Sequence, residues 1–150
     1  MRWSLRRWSV RRSRLLEDVY HVFERSLLAL APLLLRFDGR RLEAVTVTLE
    51  KPTKGLLFDC RMCGQCALSA TGMSCPMNCP KSLRNGPCGG VRMDGRCEVK
   101  PDMVCVWVDA VEGAAPMREG ETIQEVSPPV DHRLWQRSSW LRVLRQKSGG

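Results

Sequence analysis

The chain has 150 residues, eight cysteines, few aromatic residues and a formal net charge of +8 at pH 7. A (β/α)8 barrel takes about 250 residues, so a barrel enzyme is excluded. The charge lies at the ends: residues 1–14 hold six arginines and no acid, residues 131–150 hold five basic residues and one acid, and residues 15–130 hold 13 basic and 15 acidic residues. A spanning helix is also excluded, because the apolar run at residues 26–35 contains Pro32 and is far shorter than the roughly 20 residues required.

Residues 1–14 are predicted to be a basic disordered tail. They lack the apolar core of a signal peptide, because Glu17 and Asp18 follow the arginines directly. A mitochondrial presequence and a twin-arginine signal remain alternatives. We predict a cytoplasmic protein, and that location disfavours a disulfide framework.

The next unit, residues 15–52, is predicted to contain a helix and a strand. Apolar residues recur at three- and four-residue steps over residues 15–31, as in an amphipathic helix that Pro32 kinks or ends. Residues 42–50 (LEAVTVTLE) alternate around β-branched side chains, which favours a strand that Lys51 and Pro52 stop.

Three further units complete the chain. Residues 53–108 form a cysteine-rich metal-binding domain of loops and short turns, with a second short strand at residues 104–108. Residues 109–131 are predicted to be a linker, and residues 132–150 a basic amphipathic tail that docks as a helix or frays. The predicted class is a small α+β, loop-rich domain stabilised by metal.

The cysteine spacing points to metal binding. It begins C-x2-C-x2-C, the opening of ferredoxin-type iron–sulfur sites, which a Cys-Pro pair completes; here that pair is taken to be Cys79-Pro80. Zinc sites more often show two separate C-x2-C pairs. Eight thiols divide into two four-thiolate sites, which fits two clusters or two zinc ions equally well. The candidate ligands are Cys60, Cys63, Cys66, Cys75, Cys79, Cys88, Cys97 and Cys105.

Basic residues lie among these cysteines and would offset the negative charge of the metal sites, unless they are ordinary surface residues. They are Arg61, Lys81, Arg84, Arg92, Arg96 and Lys100. His21 and His132 are expected at the surface rather than as ligands. No catalytic set of side chains is visible.

The motifs CxxCGQC, CPxxCPK, NGPCGG, CEVxP and CxW occur in this order over residues 56–107. This stretch resembles the cysteine-rich C-terminal domain associated with methylenetetrahydrofolate reductases, and the small accessory subunit of the acetogen-type enzyme. The resemblance implies a non-catalytic chain that carries iron–sulfur clusters, two of the 4Fe-4S type, although zinc is an alternative. It would pass electrons to a flavin on a barrel-shaped partner chain, and the flavin and folate sites would lie on that partner.

Other functions are weaker hypotheses. A zinc-stapled interaction domain without a redox role is the main alternative, and the partner could be another one-carbon enzyme. Nucleic-acid binding is disfavoured, because the charge is terminal and the metal segment is not a recognised finger. The basic tails leave open a peripheral contact with a membrane surface or a partner's groove.

Overall fold

Helices form the scaffold of this chain. The computed structural model describes residues 2–149, with side chains from residue 5 onward, and within them it has six α-helices. They are α1 (Arg2–Arg11), α2 (Ser13–Ala29), α3 (Ala31–Leu34), α4 (Gly39–Phe58), α5 (Val106–Ala114) and α6 (Ser139–Ser148). Short 3-10 helices lie in the loops at Pro76–Asn78, Gly120–Gln124 and His132–Leu134. None of the helices in residues 2–149 is long and apolar enough to cross a membrane.

The predicted strand at residues 42–50 is wrong, because this stretch lies inside α4. Asp38 caps the helix by accepting the backbone N–H of Arg40 at 3.2 Å. The hydroxyls of Thr46 and Thr48 each donate to the carbonyl four residues earlier at 2.7 Å, so both have partners within the helix. Packing of this helix on its neighbours outweighs the weak strand preference of its β-branched residues.

The predicted α+β class is therefore also wrong. Residues 2–149 contain no strand, and their only β-pairing is two isolated bridges, Val91 with Cys97 and Arg96 with Val104. The second predicted strand, at residues 104–108, falls mostly in α5. The cysteine segment between α4 and α5 is loop-rich, as its many glycines and prolines predict.

Residues 2–11, expected to belong to a disordered tail, form the packed helix α1. The guanidinium of Arg6 is buried and forms a 2.6 Å ion pair with Asp109 of α5. The hydroxyl of Ser9 donates to the carbonyl of Leu57 in α4 at 2.8 Å. These contacts tie α1 to the helices on both sides of the cysteine segment. Positions 1 and 150, the outer ends of the two predicted tails, lie outside the described residues.

The amphipathic helix predicted at residues 15–31 corresponds to α2, and α6 packs against it within the same chain. Leu141 and Leu144 of α6 are fully buried with Ala31. A second core joins Phe58 to residues of the cysteine segment and to Met117. The apolar stripe of the C-terminal segment thus serves the core of this chain.

The segment predicted as a linker also makes specific contacts. The buried carboxylate of Glu17 accepts the backbone N–H groups of Arg118 at 2.8 Å and Glu119 at 3.1 Å. The start of this segment is therefore held against α2, while Ser127 and Asp131 bond to side chains of the cysteine segment.

Candidate metal centres

The first four cysteines line one cavity, which we call site 1. Cys63 and Cys75 are buried, Cys60 is half-buried and Cys66 is exposed. All four are free thiols, so four sulfur atoms that could act as ligands surround one cavity.

The backbone around site 1 turns tightly. Asp59 ends α4 in the left-handed region with φ 51°, and Met62 and Gly64 follow with φ 52° and 72°. A Cβ on Gly64 would lie 2.8 Å from the Cβ of Leu134 and still closer to the Leu134 carbonyl oxygen. The turn directs the N–H of Met62 to the Cys60 sulfur at 3.3 Å, and hydrogen bonds of this kind tune iron–sulfur centres.

The C-terminal segment covers this loop. The N–H of Gln136 donates to the Met62 carbonyl at 2.8 Å. The side chain of Gln65 accepts the N–H of Asp131 at 2.7 Å and donates to the Pro129 carbonyl at 3.3 Å. Residues 129–136 therefore form a strap along the loop of site 1 that runs from Met62 to Gln65.

Three basic residues line site 1, namely Lys54, Arg84 and the exposed Arg137. The buried Arg84 donates to the Gln65 carbonyl at 3.3 Å, and its Nη1 lies 4.0 Å from the Cys63 sulfur. Its buried Nε has no hydrogen-bond partner within the described residues. Lys54 of α4 also lines the cavity, with Glu50 beside it. Such a surrounding suits a negatively charged group.

The last four cysteines line a second cavity, which we call site 2. They are Cys79, Cys88, Cys97 and Cys105, of which Cys88 is exposed and the others are half-buried. The N–H of Cys97 donates to the Met103 carbonyl and that of Cys105 to the Gly95 carbonyl, each at 2.9 Å. These bonds fold residues 91–105 back on themselves and bring two distant cysteines together.

Site 2 contains the same kind of hydrogen bond to sulfur as site 1. The N–H of Gly90 donates at 3.3 Å to the sulfur of Cys88, which lies two residues earlier in the chain. A Cβ at Gly90 would meet the Glu98 carboxylate, the end of a side chain that is 42% exposed and can move aside. Glu98 is ion-paired with Lys81 and lies 3.7 Å from the Cys88 sulfur.

Burial changes the acidity of the deepest thiols. Desolvation raises the pKa of Cys75 to about 12 and that of Cys60 to about 11, and in each case the neighbouring cysteines add to the effect. At these pKa values both thiols are neutral at pH 7, although Lys54 and Arg84 line the same cavity. A bound metal ion would displace their protons, because thiolates are the form that ligates a metal.

All eight predicted ligands thus lie at two cavities, sorted by their order in the chain. Cys75, which is also followed by a proline, shares the cavity of the C-x2-C-x2-C cysteines. Cys79 of the predicted Cys79-Pro80 pair lines site 2. Metal ligation itself stays a prediction.

The predicted counter-charges divide into two groups. Arg84 is buried at site 1 and Lys81 lines site 2, whereas the others are exposed: Arg61, Arg92, Arg96 and Lys100. Sequence analysis missed Lys54, because its position ahead of the first cysteine does not show that α4 brings it to the cavity.

Within residues 2–149 one trio of side chains has its potential ligand atoms within 4.8 Å of one another: Glu17, His21 and Glu119. No cysteine trio is that close. Since the Glu17 carboxylate already accepts two backbone N–H groups, it serves to anchor the loop after α5.

The comparisons with known proteins agree with the motifs. A family model described as the methylene-tetrahydrofolate reductase C terminal matches residues 40–133, more than half of the chain. No curated protein and no solved structure matches. The match contains all eight cysteines, while α1–α3 and α6, which pack around this part, lie outside it. The chain belongs to the methylene-tetrahydrofolate reductase C-terminal family.

Proposed function

We propose that this chain is an iron–sulfur accessory subunit of a methylenetetrahydrofolate reductase-type enzyme, passing electrons to a flavin on a partner chain. The observation that carries the proposal is the division of eight cysteines into two cavities with four in each. Each bound cluster would supply one-electron chemistry at a potential that the surrounding protein sets.

The spacing of the cysteines in the chain supports clusters over zinc. The C-x2-C-x2-C run and the Cys75-Pro76 pair, which share one cavity, are typical of iron–sulfur sites. Zinc sites more often have two separate C-x2-C pairs.

The two sites are close enough to act in series. Cys75 of site 1 and Cys79 of site 2 are joined by the 3-10 turn Pro76–Asn78. Four residue steps span at most about 14 Å even when extended, and a helical turn is shorter. Each site also has one exposed cysteine, Cys66 and Cys88. The surface around one of these cysteines would face the electron donor, and the surface around the other would face the partner chain.

The chain would carry no part of the carbon chemistry. Reducing the methylene group to methyl takes two electrons and two protons, so two one-electron transfers must reach the flavin. A one-electron donor protein supplies them, and the partner holds the flavin and the folate. We place this role in the cytoplasm, where free thiols persist.

Metal and sulfide analysis of the full chain, purified without oxygen, tests the proposal. We expect a brown protein with roughly eight irons and eight sulfides, whose visible absorption decreases on reduction with dithionite. A colourless protein with about two zinc ions would reject the redox role and support a zinc-stapled interaction domain.

Paired substitutions test the grouping of the cysteines. The variant with Cys63→Ser and Cys75→Ser should lose about half of the iron, and so should the variant with Cys97→Ser and Cys105→Ser. Changing Cys75 and Cys79 together, one from each cavity, should deplete both sites. If that pair cost no more iron than the others, the grouping would be wrong.

A further inference from the structure

An ion pair is buried beside site 1 on successive turns of α4. The Lys54 Nζ lies 2.7 Å from the Glu50 Oε1, and the two side chains are 6% and 1% exposed. A buried ion pair contributes little net stability compared with apolar side chains of similar size. Stability alone therefore does not account for this pair at the wall of a metal cavity.

The start of α6 holds the Glu50 carboxylate in place. Ser138 Oγ donates to it at 2.6 Å, Ser139 Oγ at 2.5 Å and the Ser139 N–H at 3.2 Å. Lys54 Nζ donates to the Ser139 hydroxyl at 2.6 Å and lies 5.1 Å from the centre of the Trp140 ring. Both charges are fixed by several contacts, so the direction of the ion pair is fixed as well.

Both charges of the pair, Glu50 and Lys54, line the site 1 cavity with the four cysteines. Burial acts to lower the pKa of Lys54, but negative charge at Cys66 and at Glu50 outweighs it and the pKa is raised. For Glu50, burial acts to raise the pKa, while Lys54 and the two serine hydroxyls lower it, with no cysteine among the main influences.

We propose that Lys54 raises the reduction potential of the group held in site 1, by placing a fixed positive charge beside its thiolates. The proposal rests on the proposed function, since it takes that group to be a redox-active cluster. Adding one electron makes the group one unit more negative and breaks no bond, and the nearby ammonium favours the more negative form.

The ion pair at site 2 differs in kind. Lys81 and Glu98 are 41% and 42% exposed, so water screens their charges, and Glu98 brings negative charge next to Cys88. Site 1 would thus have the higher potential of the two. An electron that enters at site 2 would then move to site 1, which makes the face around Cys66 the exit towards the flavin.

A potentiometric titration of the full chain with dithionite, followed by electron paramagnetic resonance, tests this inference. In Lys54→Met the equilibrium constant for reducing one cluster should fall about tenfold, which corresponds to about 59 mV for one electron. Glu50→Gln should shift the same cluster in the opposite direction, and Lys54→Arg should preserve its potential. The second cluster should not change in any of the three.

The matched control is Lys147→Met. Lys147 forms a 2.6 Å ion pair with Glu24 but is half-exposed and lines neither cavity. The Lys147→Met variant should leave the reduction potentials of both clusters unchanged. Repeating the Lys54→Met titration in a chain with Cys97→Ser and Cys105→Ser assigns the shifted signal to site 1.

The outcomes separate this inference from the proposed function. A chain without iron overturns both. A chain with two clusters whose potentials are unchanged by Lys54→Met and Glu50→Gln overturns only the role of Lys54. An equal shift of both clusters also overturns it, because the effect would not be local. If Lys54→Met does not fold, the upward shift expected in Glu50→Gln decides.

Discussion

The strap along the loop of site 1 makes Gly64 intolerant of any side chain. Gly64 has φ 72°, and alanine in this left-handed region costs about 1–2 kcal/mol. Its Cβ would also lie 2.8 Å from the Leu134 Cβ, where an ordinary contact is at least 3.4 Å, and closer still to the Leu134 carbonyl oxygen. The strap must therefore move by more than half an ångström, roughly, in Gly64→Ala.

That movement strains the hydrogen bonds that hold the strap. The Gln136 N–H bond to the Met62 carbonyl and the Asp131 N–H bond to Gln65 each contribute about 1 kcal/mol. Adding the backbone term, we expect Gly64→Ala to lower the free energy of unfolding by about 2–4 kcal/mol. We also expect faster loss of metal from site 1 when the protein is exposed to a chelator.

Gly89→Ala is the matched control. Gly89 has φ 79° in the other cysteine site, but a Cβ there meets nothing within 4 Å. It should therefore show only the backbone cost of about 1–2 kcal/mol. Urea denaturation of both variants, with metal bound and without oxygen, measures the difference. Equal destabilisation would refute the reasoning, because it would mean that the strap does not press on Gly64.

Three further predictions concern the core, the single tyrosine and the metal. Leu144→Ala removes a fully buried side chain and should lower the free energy of unfolding, measured by urea denaturation, by about 3 kcal/mol. Leu56→Ala, at an exposed position, should lower it only slightly. Similar losses in the two variants would show that α6 is not part of the core. Burial, helped by negative charge at Cys66, raises the pKa of Tyr20 to about 12, so ultraviolet titration of the folded chain should show ionisation near pH 12 and denatured chain near 10. Because folding favours the neutral phenol, the contribution of Tyr20 to stability is complete below about pH 10 and is lost as the pH rises towards 12. A titration midpoint near pH 10 in the folded chain would contradict the burial of Tyr20. Chelation of the metal should greatly speed hydrogen exchange at residues 60–105 while α1 and α2 stay partly protected, and uniform exchange along the chain would show that the helices also depend on the metal.

Much of the candidate site could be read from the sequence, because metal ligation depends on residue type and short spacing. Three cysteines at three-residue steps and a Cys-Pro pair indicate a cluster site wherever the chain places them. The sequence did not show which cysteines line the same cavity. Cys97 and Cys105 reach site 2 only through the backbone hydrogen bonds that pair residues within 91–105.

The helical fold was harder to predict. Residues 42–50 alternate like a strand, but alternation is only local information. In the folded chain Glu50 binds the start of α6, and the same face of α4 continues to Lys54 and Phe58. The hydrogen-bond partners of Glu50 lie up to 89 residues away in the chain, so a local sequence pattern does not predict them.

The sequence by itself determined the family, and it predicted two metal sites with thiolate ligands, because these follow from motif order and cysteine count. Only the tertiary structure decided which cysteines share a cavity and that both terminal segments pack onto the cysteine domain. It also decided that Lys54 of α4 lines site 1. The physical reason is that burial and charge at a site depend on every segment that surrounds it, and most of those segments are remote in the chain.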